Sequence, residues 1–386
     1  MGLAKKLVGV FRHFMPADSC FKYPYEKQKK YIDSIPEPRD NFERGFFQFK
    51  CQMFLVGWTH WLLNVASLPL YVYKKLTIKH LCPEKTEPRN AVFCTPNLHR
   101  NILPESLFSE FGEIEIFDHS VYSSLNDDDR RFLKELARRY PFNWHFRLKC
   151  MLKIAMTRYV LDKFSPKALI ASTEYSFTSS VLTEYLRRNG VEHINIMHGE
   201  KLFFIRDSFF VFDRFYVWKE NYKPLFEKLR ADVSCIRVEL PPVLNLPMSE
   251  ETPIYDFTFY LQNETPSQVE TIVSYCETLI NAGYKVSVRP HPRYTKISEE
   301  QLHGLDVNIE INKELPIEKS LKQTKCAVSL YSTVLLQAYA NGIAFAIDDI
   351  TRPEMFERMK TLSYIGFSLE HRLLSDILNE ASKKTI

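Results

Sequence analysis

The sequence predicts an α/β protein made of two doubly wound parallel-sheet domains with a cleft between them. Three observations carry that prediction. The chain has 386 residues, too many for one ordinary core and comfortable for two. Past residue 90, short β-branched and aromatic runs alternate with longer stretches of helical periodicity. A break rich in proline and polar residues, "VLNLPMSEETP" at 243–253, then separates this series from a second of the same kind. Strands that read as continuous apolar runs are buried on both faces, and strands joined through helices run parallel.

Residues 1–80 stand apart as a helical extension. In "MGLAKKLVGVFRHFM" apolar residues fall at 3, 7, 8, 10, 11, 14 and 15, with Lys5, Lys6 and Arg12 between them. That is a basic amphipathic helix, suited to an anionic bilayer surface. The stretch "CQMFLVGWTHWLLNVASLPLYVYKK" (51–75) is apolar and long enough for a bilayer, but Gln52, Thr59, His60, Asn64 and Pro69 interrupt it. It reads as a helix buried against the domain, with an interfacial, membrane-lying segment as the alternative and a true span as the third reading.

The first domain is expected over 81–245. Its strands are 90–96, 113–120, 167–173, 193–199 and 209–218; its helices are 127–140, 146–164 and 179–190, the last closed by Gly190. Asp127, Asp128 and Asp129 read as helix N-terminal acids. The second domain is expected over 254–386. Strands are 255–262, 285–292, 307–311, 326–331 and 343–349; helices are 267–283, 316–324, 332–342 and 368–383.

Composition narrows the function classes. Hydrophobic residues make up 45% and charged residues 25%, so packed cores are expected and disorder is not. The net charge of +4 is too mild, and too evenly spread, for a nucleic-acid partner. It fits an anionic small ligand or an anionic membrane. The 8 cysteines form no CxxC pair and no zinc-ligand spacing, which implies reduced thiols in a cytosolic protein. No signal peptide is visible, and Lys6 stands where a myristoylation signal needs Ser or Thr.

In open parallel sheets ligands bind past the carboxyl ends of the strands, so the strand tips are the candidate site. One tip reads "VSVRPHPRY": Arg289, Pro290, His291, Pro292 and Arg293. Flanking prolines fix the backbone and stop the ladder, which holds one imidazole rigidly between two guanidiniums. A second tip runs from Ser329 to Ser332 and Thr333, and Ser332-Thr333 also opens a helix. Hydroxyls, unpaired N–H groups and the positive end of the dipole make a phosphate cradle there without a glycine-rich loop.

These tips and the element order resemble two-domain GT-B glycosyltransferases, with two Rossmann-like domains facing a cleft. Within these, the chain resembles bacterial sialyltransferases and polysialyltransferases, and also the CDP-glycerol glycerophosphotransferases of teichoic-acid synthesis. Both groups carry His-Pro followed by Ser-Ser or Ser-Thr, here His291-Pro292 and Ser332-Thr333. The resemblance covers about residues 90–386 and implies that these motifs hold the phosphate of a cytidine-activated donor. His291 would then offset charge growing on the leaving group.

The first domain should supply the base and the acceptor site. The acidic-acidic-Gly triplet of the sialyltransferases is missing; "INIMHGEK" instead sets His198, Gly199 and Glu200 after a strand. A His-Gly there resembles the glycerophosphotransferases, whose histidine deprotonates the acceptor. Glu200 is the competing base or orients His198. In "ASTEYSFTSS", Glu174 stands at another tip beside several hydroxyls and is assigned to acceptor sugar hydroxyls. A third tip offers His99 and Arg100, with a structural role the simpler reading.

No DxD-type pair stands out. Asp348-Asp349 precede a helix start at Pro353. The expectation is therefore a metal-independent, inverting transfer with no cofactor beyond the CMP- or CDP-activated donor. The leading reading is transfer of sialic acid, or a related acidic sugar, to a cell-surface glycan or lipid-linked glycan acceptor. The alternative moves a polyol phosphate from a CDP donor. A non-catalytic glycan-binding protein and a nucleotide-sugar epimerase are the readings from other classes. The expected location is cytoplasmic, peripheral on the inner face of the membrane.

Overall fold

Among the described residues twelve strands form two six-stranded sheets, and every pairing among them is parallel. The computed structural model describes residues 21–84, 86–95, 100–197, 199–246, 252–292, 295 and 307–384. They fall into two units, Met1–His198 with Phe203–Pro242 and Gly199–Leu202 with Val243–Ile386. Each unit is a doubly wound α/β sheet, as the alternating series predicts.

The first unit opens with helices α1 (Tyr25–Asp33), α2 (Asn41–Val56) and α3 (His60–Thr77). Its sheet follows in the order β2-β1-β3-β4-β5-β6. These strands are β1 (Ala91–Phe93), β2 (Ile114–Ile116), β3 (Ala168–Ala171), β4 (Glu192–Ile196), β5 (Arg214–Val217) and β6 (Ile236–Val238). Between them run α4 (Glu105–Phe111), α5 (Asp127–Arg139), α6 (Trp144–Phe164), α7 (Ser179–Arg188) and α8 (Tyr222–Lys228).

Alternation along the strands feeds two cores. Val92, Leu169 and Ala171 face a cluster with Phe146, Ile154 and Leu182. Ala91, Phe93, Ala168 and Ile170 face the opposite cluster with Leu103, Leu107 and Phe111. Neighbouring residues on one strand are thus buried on opposite faces, which requires helices on both sides.

The N-terminal helices do not form a separate extension. Phe42 and Phe49 of α2 and Tyr71 of α3 belong to the same core as Val92 and Leu169. The Gln48 and Gln52 amides donate to the carbonyls of Glu174 (2.8 Å) and Tyr175 (2.7 Å), satisfying loop groups that α2 covers. Gly57, at φ 74°, divides the apolar run 51–75. The buried-helix expectation holds for Cys51, Gln52 and Leu55 and fails for most of α3, where only Ser67 and Tyr71 are buried. Residues 1–15 lie outside the described residues.

The second sheet has the order β12-β11-β10-β7-β8-β9. It comprises β7 (Tyr255–Tyr260), β8 (Val286–Arg289), β9 (Asn308–Ile309), β10 (Thr324–Ser329), β11 (Ala344–Ile347) and β12 (Arg372–Leu373). Its helices are α9 (Pro266–Asn281), α10 (Ile317–Lys322), α11 (Thr333–Ala340), α12 (Pro353–Thr361) and α13 (Leu374–Lys384). Thr265 and Gln268 close α9 with a reciprocal capping box, and Pro266 opens it without losing an internal hydrogen bond. Sequence periodicity misses β6 and β12, of three and two residues, because such short edges have no repeat to detect. It also extends β5 too early, since 209–213 is buried but irregular.

Asp129, read as a helix N-terminal acid, does more than cap α5. It forms a capping box with Asn126. It also accepts from the Arg158 guanidinium (2.9–3.1 Å) and from the Tyr185 hydroxyl (2.7 Å), all away from water. One carboxylate therefore ties α5, α6 and α7. Asp129→Ala leaves the buried Arg158 guanidinium with only Asp162 (3.4 Å) and Asn189 (2.7 Å) and should cost about 3 kcal/mol. A lowered urea midpoint with an unchanged slope is the expected result. A cost under about 1 kcal/mol would show that the pair does not hold these helices together.

Candidate functional site

In the second sheet β8 and β9 are laid to one side of β7, and β10, β11 and β12 to the other. Strand order reverses between β7 and β10, and the carboxyl ends there are where such sheets leave a crevice. A cavity of about 380 Å³ occupies that place, within the range of small-ligand sites. It is lined by Gln262 after β7, by Arg289, His291 and Pro292 at the end of β8, and by Ser332 and Thr333 at the start of α11. The two motifs, 41 residues apart in sequence (332 minus 291), meet in one cavity.

Hydrogen bonds explain how the loops are held. Prolines at 290 and 292 leave the His291 N–H as the one backbone donor of that tripeptide. It donates to Thr295 Oγ1 at 2.7 Å, and that hydroxyl donates to the Gln262 carbonyl at 3.1 Å. Gln262 Nε2 in turn donates to Ser332 Oγ at 2.9 Å. Ser332 also caps α11 by accepting from the Val334 N–H at 3.3 Å. Gln262 thus connects the His-Pro loop to the helix cap. Asn312 Nδ2 donates to the Pro290 carbonyl at 2.7 Å and closes the other side. Neither Gln262 nor Asn312 carries a sequence signal, because an amide at a loop position looks like any other polar residue.

Two expected ligands of an anion have other work. Arg289 is buried, and its guanidinium pairs with Glu310 (3.0 Å) and donates to the Leu315 carbonyl (2.8 Å). Its charge is neutralised inside the fold, so it anchors the 310–315 segment and positions Asn312. Ser329 is the last residue of β10, and its hydroxyl donates to the Tyr260 carbonyl at 2.7 Å instead of entering the cavity. Arg293 lies outside the described residues.

Glu200 groups with the second unit. Burial first, and then the Glu200 carboxylate, hold the Tyr364 hydroxyl well above its ordinary pKa, while the Ser332 N–H acts in the opposite sense. Glu200 is thus within electrostatic reach of Tyr364, whose hydroxyl meets the Ser332 N–H. His198 lies outside the described residues.

In the first sheet the order reverses between β1 and β3. There Thr95 Oγ1 accepts from the Ser172 N–H at 3.1 Å, and Asn195 Oδ1 from the Thr173 N–H at 2.7 Å. Glu174, assigned to acceptor hydroxyls, is fully buried and accepts from Asn195 Nδ2 at 2.9 Å. Covered by α2, it braces the tip and offers nothing to solvent. His99 lies outside the described residues, and Arg100 stacks over Phe108 at 4.8 Å. Two groups with no sequence motif sit near this edge. His119 is buried with neither ring nitrogen hydrogen-bonded. Lys153 is held below the usual lysine range by burial.

No family model and no curated protein matches the chain. Among solved structures it is similar to a kitacinnamycin glycotransferase, with 11% identity over 78% of this chain and 91% of that one, TM-score 0.47. It is also similar to the wall teichoic acid polymerase TagF (H548A), with 9% identity over 88% of both chains, TM-score 0.45. A third is the UDP-N-acetylglucosamine 2-epimerase from Rickettsia bellii, with 12% identity over 78% of this chain and 94% of that one, TM-score 0.41.

Burial keeps three histidines neutral. It pushes His119 and His193 down to about 3, with Lys153 adding to it, and His145 down to about 4, with Lys149 adding to it. Unfolded histidines take up protons near pH ~6.5, so acid favours the unfolded chain from there downward. Buried Glu264 and Asp348, raised by burial, act in the opposite sense. His119→Leu isolates one share: between pH ~6 and ~4.5 its stability should fall less steeply, by about 1.4 kcal/mol per pH unit. Parallel pH profiles for parent and variant would contradict this.

Proposed function

We propose that this chain is a GT-B-type transferase whose second unit grips the phosphate of a cytidine-activated donor. It passes an acidic sugar, sialic acid or a close relative, to a glycan acceptor. The observation that carries this reading is the single cavity that His291, Ser332 and Thr333 line at the strand-order reversal. An imidazole and a capped helix start favour an anion there.

The polar lining supports a phosphate-bearing donor. With Arg289 paired to Glu310, the groups left to meet an anion among the described lining residues include the His291 imidazole and the start of α11. An anionic phosphate is the group such a lining suits, and the CMP donor remains the leading reading of the His-Pro and Ser-Thr motifs.

In the proposed step the acceptor hydroxyl oxygen attacks the anomeric carbon, and its proton goes to a base that the His-Gly-Glu motif assigns to His198, with Glu200 as the alternative. The bond between that carbon and the phosphate oxygen breaks, and CMP leaves with the electron pair. His291 donates to the departing phosphate, where charge grows. Gln262 is a positioning residue that acts through Ser332.

Incubation with CMP, CDP, UDP and GDP should raise the melting temperature most with CMP. His291→Ala should reduce turnover of a CMP-sugar by about 10²–10³-fold without changing the melting temperature. Turnover should persist in EDTA. Parent-like turnover by His291→Ala would end this reading, and preferred turnover of a CDP-polyol would replace it with the alternative.

A further inference from the structure

Helix α3 is built with its polarity reversed. A surface helix ordinarily turns apolar residues inward and polar ones to water. In α3 the polar groups of Asn64, Ser67 and Tyr71 point into the protein. Asn64 donates to the Phe142 carbonyl at 2.8 Å and accepts from the His145 N–H at 3.0 Å. Ser67 Oγ meets His145 Nδ1 at 2.9 Å, and the Tyr71 hydroxyl accepts from Arg147 at 2.7 Å.

The opposite face is apolar from end to end. Trp58, Leu62, Val65, Pro69, Val72 and Leu76 recur at alternating steps of four and three, so they form one stripe on a helical surface. Trp58 and Leu76, at its ends, are 74% and 76% exposed. Trp61, Leu70 and Tyr73 widen the stripe, and Phe142, 74% exposed on the α5–α6 turn, extends it onto a second element. The stripe spans about 27 Å for 18 residues of helix. This is far more apolar surface than isolated exposed residues make.

Charge identifies what covers it. From Arg44 to Pro83 there is no acidic residue. Lys74 and Lys75 close α3 and Lys79 follows, and none of the three pairs with an acid among the described residues. Aromatic rings beside unpaired lysines match the boundary between acyl chains and anionic headgroups. The helical run 41–77 is long and apolar enough to cross a membrane by composition. A crossing is nevertheless ruled out for α3, since its inner face is hydrogen-bonded to α6 and α2 is in the core.

We infer that the outer face of α3, with Phe142, docks the chain flat on an anionic lipid bilayer. The side chains Trp58, Trp61, Leu62, Val65 and Leu76 enter the headgroup–acyl boundary while Lys74, Lys75 and Lys79 meet the anionic headgroups. This docking is independent of any activity of the cavity.

Vesicle flotation with the full chain tests it, comparing phosphatidylcholine alone with phosphatidylcholine plus phosphatidylglycerol. The parent should float with the mixed vesicles, and its tryptophan emission should shift to the blue and be quenched by bromine-labelled acyl chains. Leu62→Glu/Leu76→Glu should lower partitioning by about tenfold or more, with an unchanged melting temperature because both sites face outward. Lys74→Glu/Lys75→Glu/Lys79→Glu should do the same for mixed vesicles at low salt. Equal partitioning of parent and Leu62→Glu/Leu76→Glu would overturn the inference. So would a parent that ignores vesicles yet self-associates in sedimentation equilibrium, with that association lost in Leu62→Glu/Leu76→Glu, which would make the occupant a second copy.

Discussion

The parallel ladder is the constraint on which the rest depends. Parallel neighbours cannot be joined by a two-residue turn, so each strand must be followed by a crossover. In both sheets those crossovers are mostly helices, and they cover both faces. Every loop that leaves a carboxyl end is therefore free of ladder duties, and the chain places its unusual residues there. His291, Gln262 and Ser332 follow three different strands yet reach one cavity because the order reverses between β7 and β10.

Rigidity at that cavity comes from hydrogen bonds that contain no charge. The path from the His291 N–H through Thr295 and Gln262 to Ser332 joins two loops and a helix cap. Charge is spent one layer below, where Arg289 and Glu310 pair inside the fold. Such a buried pair contributes little net stability but is costly to break, and its use here is to fix where the 310–315 segment lies. The division leaves the described lining of the cavity polar while the Arg289 charge is satisfied beneath it.

The first unit uses the same economy of buried polar groups for another end. Asp129 satisfies a helix start, a guanidinium and a phenol at once. Asn64, Ser67 and Tyr71 turn the polar side of α3 inward, where His145 and Arg147 receive it. What remains outward is a stripe of apolar side chains with lysines at one end.

The sequence by itself determined the class of fold, the positions of the long helices and buried strands, and the two motifs of the cavity. These are local properties: periodicity, proline and capping chemistry are written over a few neighbouring residues. It missed β6 and β12 because two or three residues carry no period. It assigned Arg289, Ser329 and Glu174 to ligands because type and position at a strand tip do not reveal a partner far along the chain. Tertiary structure alone decided that Glu310 neutralises Arg289, that Tyr260 occupies Ser329, and that α2 covers Glu174. It also decided which side of α3 faces out. An apolar run with scattered polar residues has the same sequence whether those residues meet water or protein, and only packing against α6 settles which.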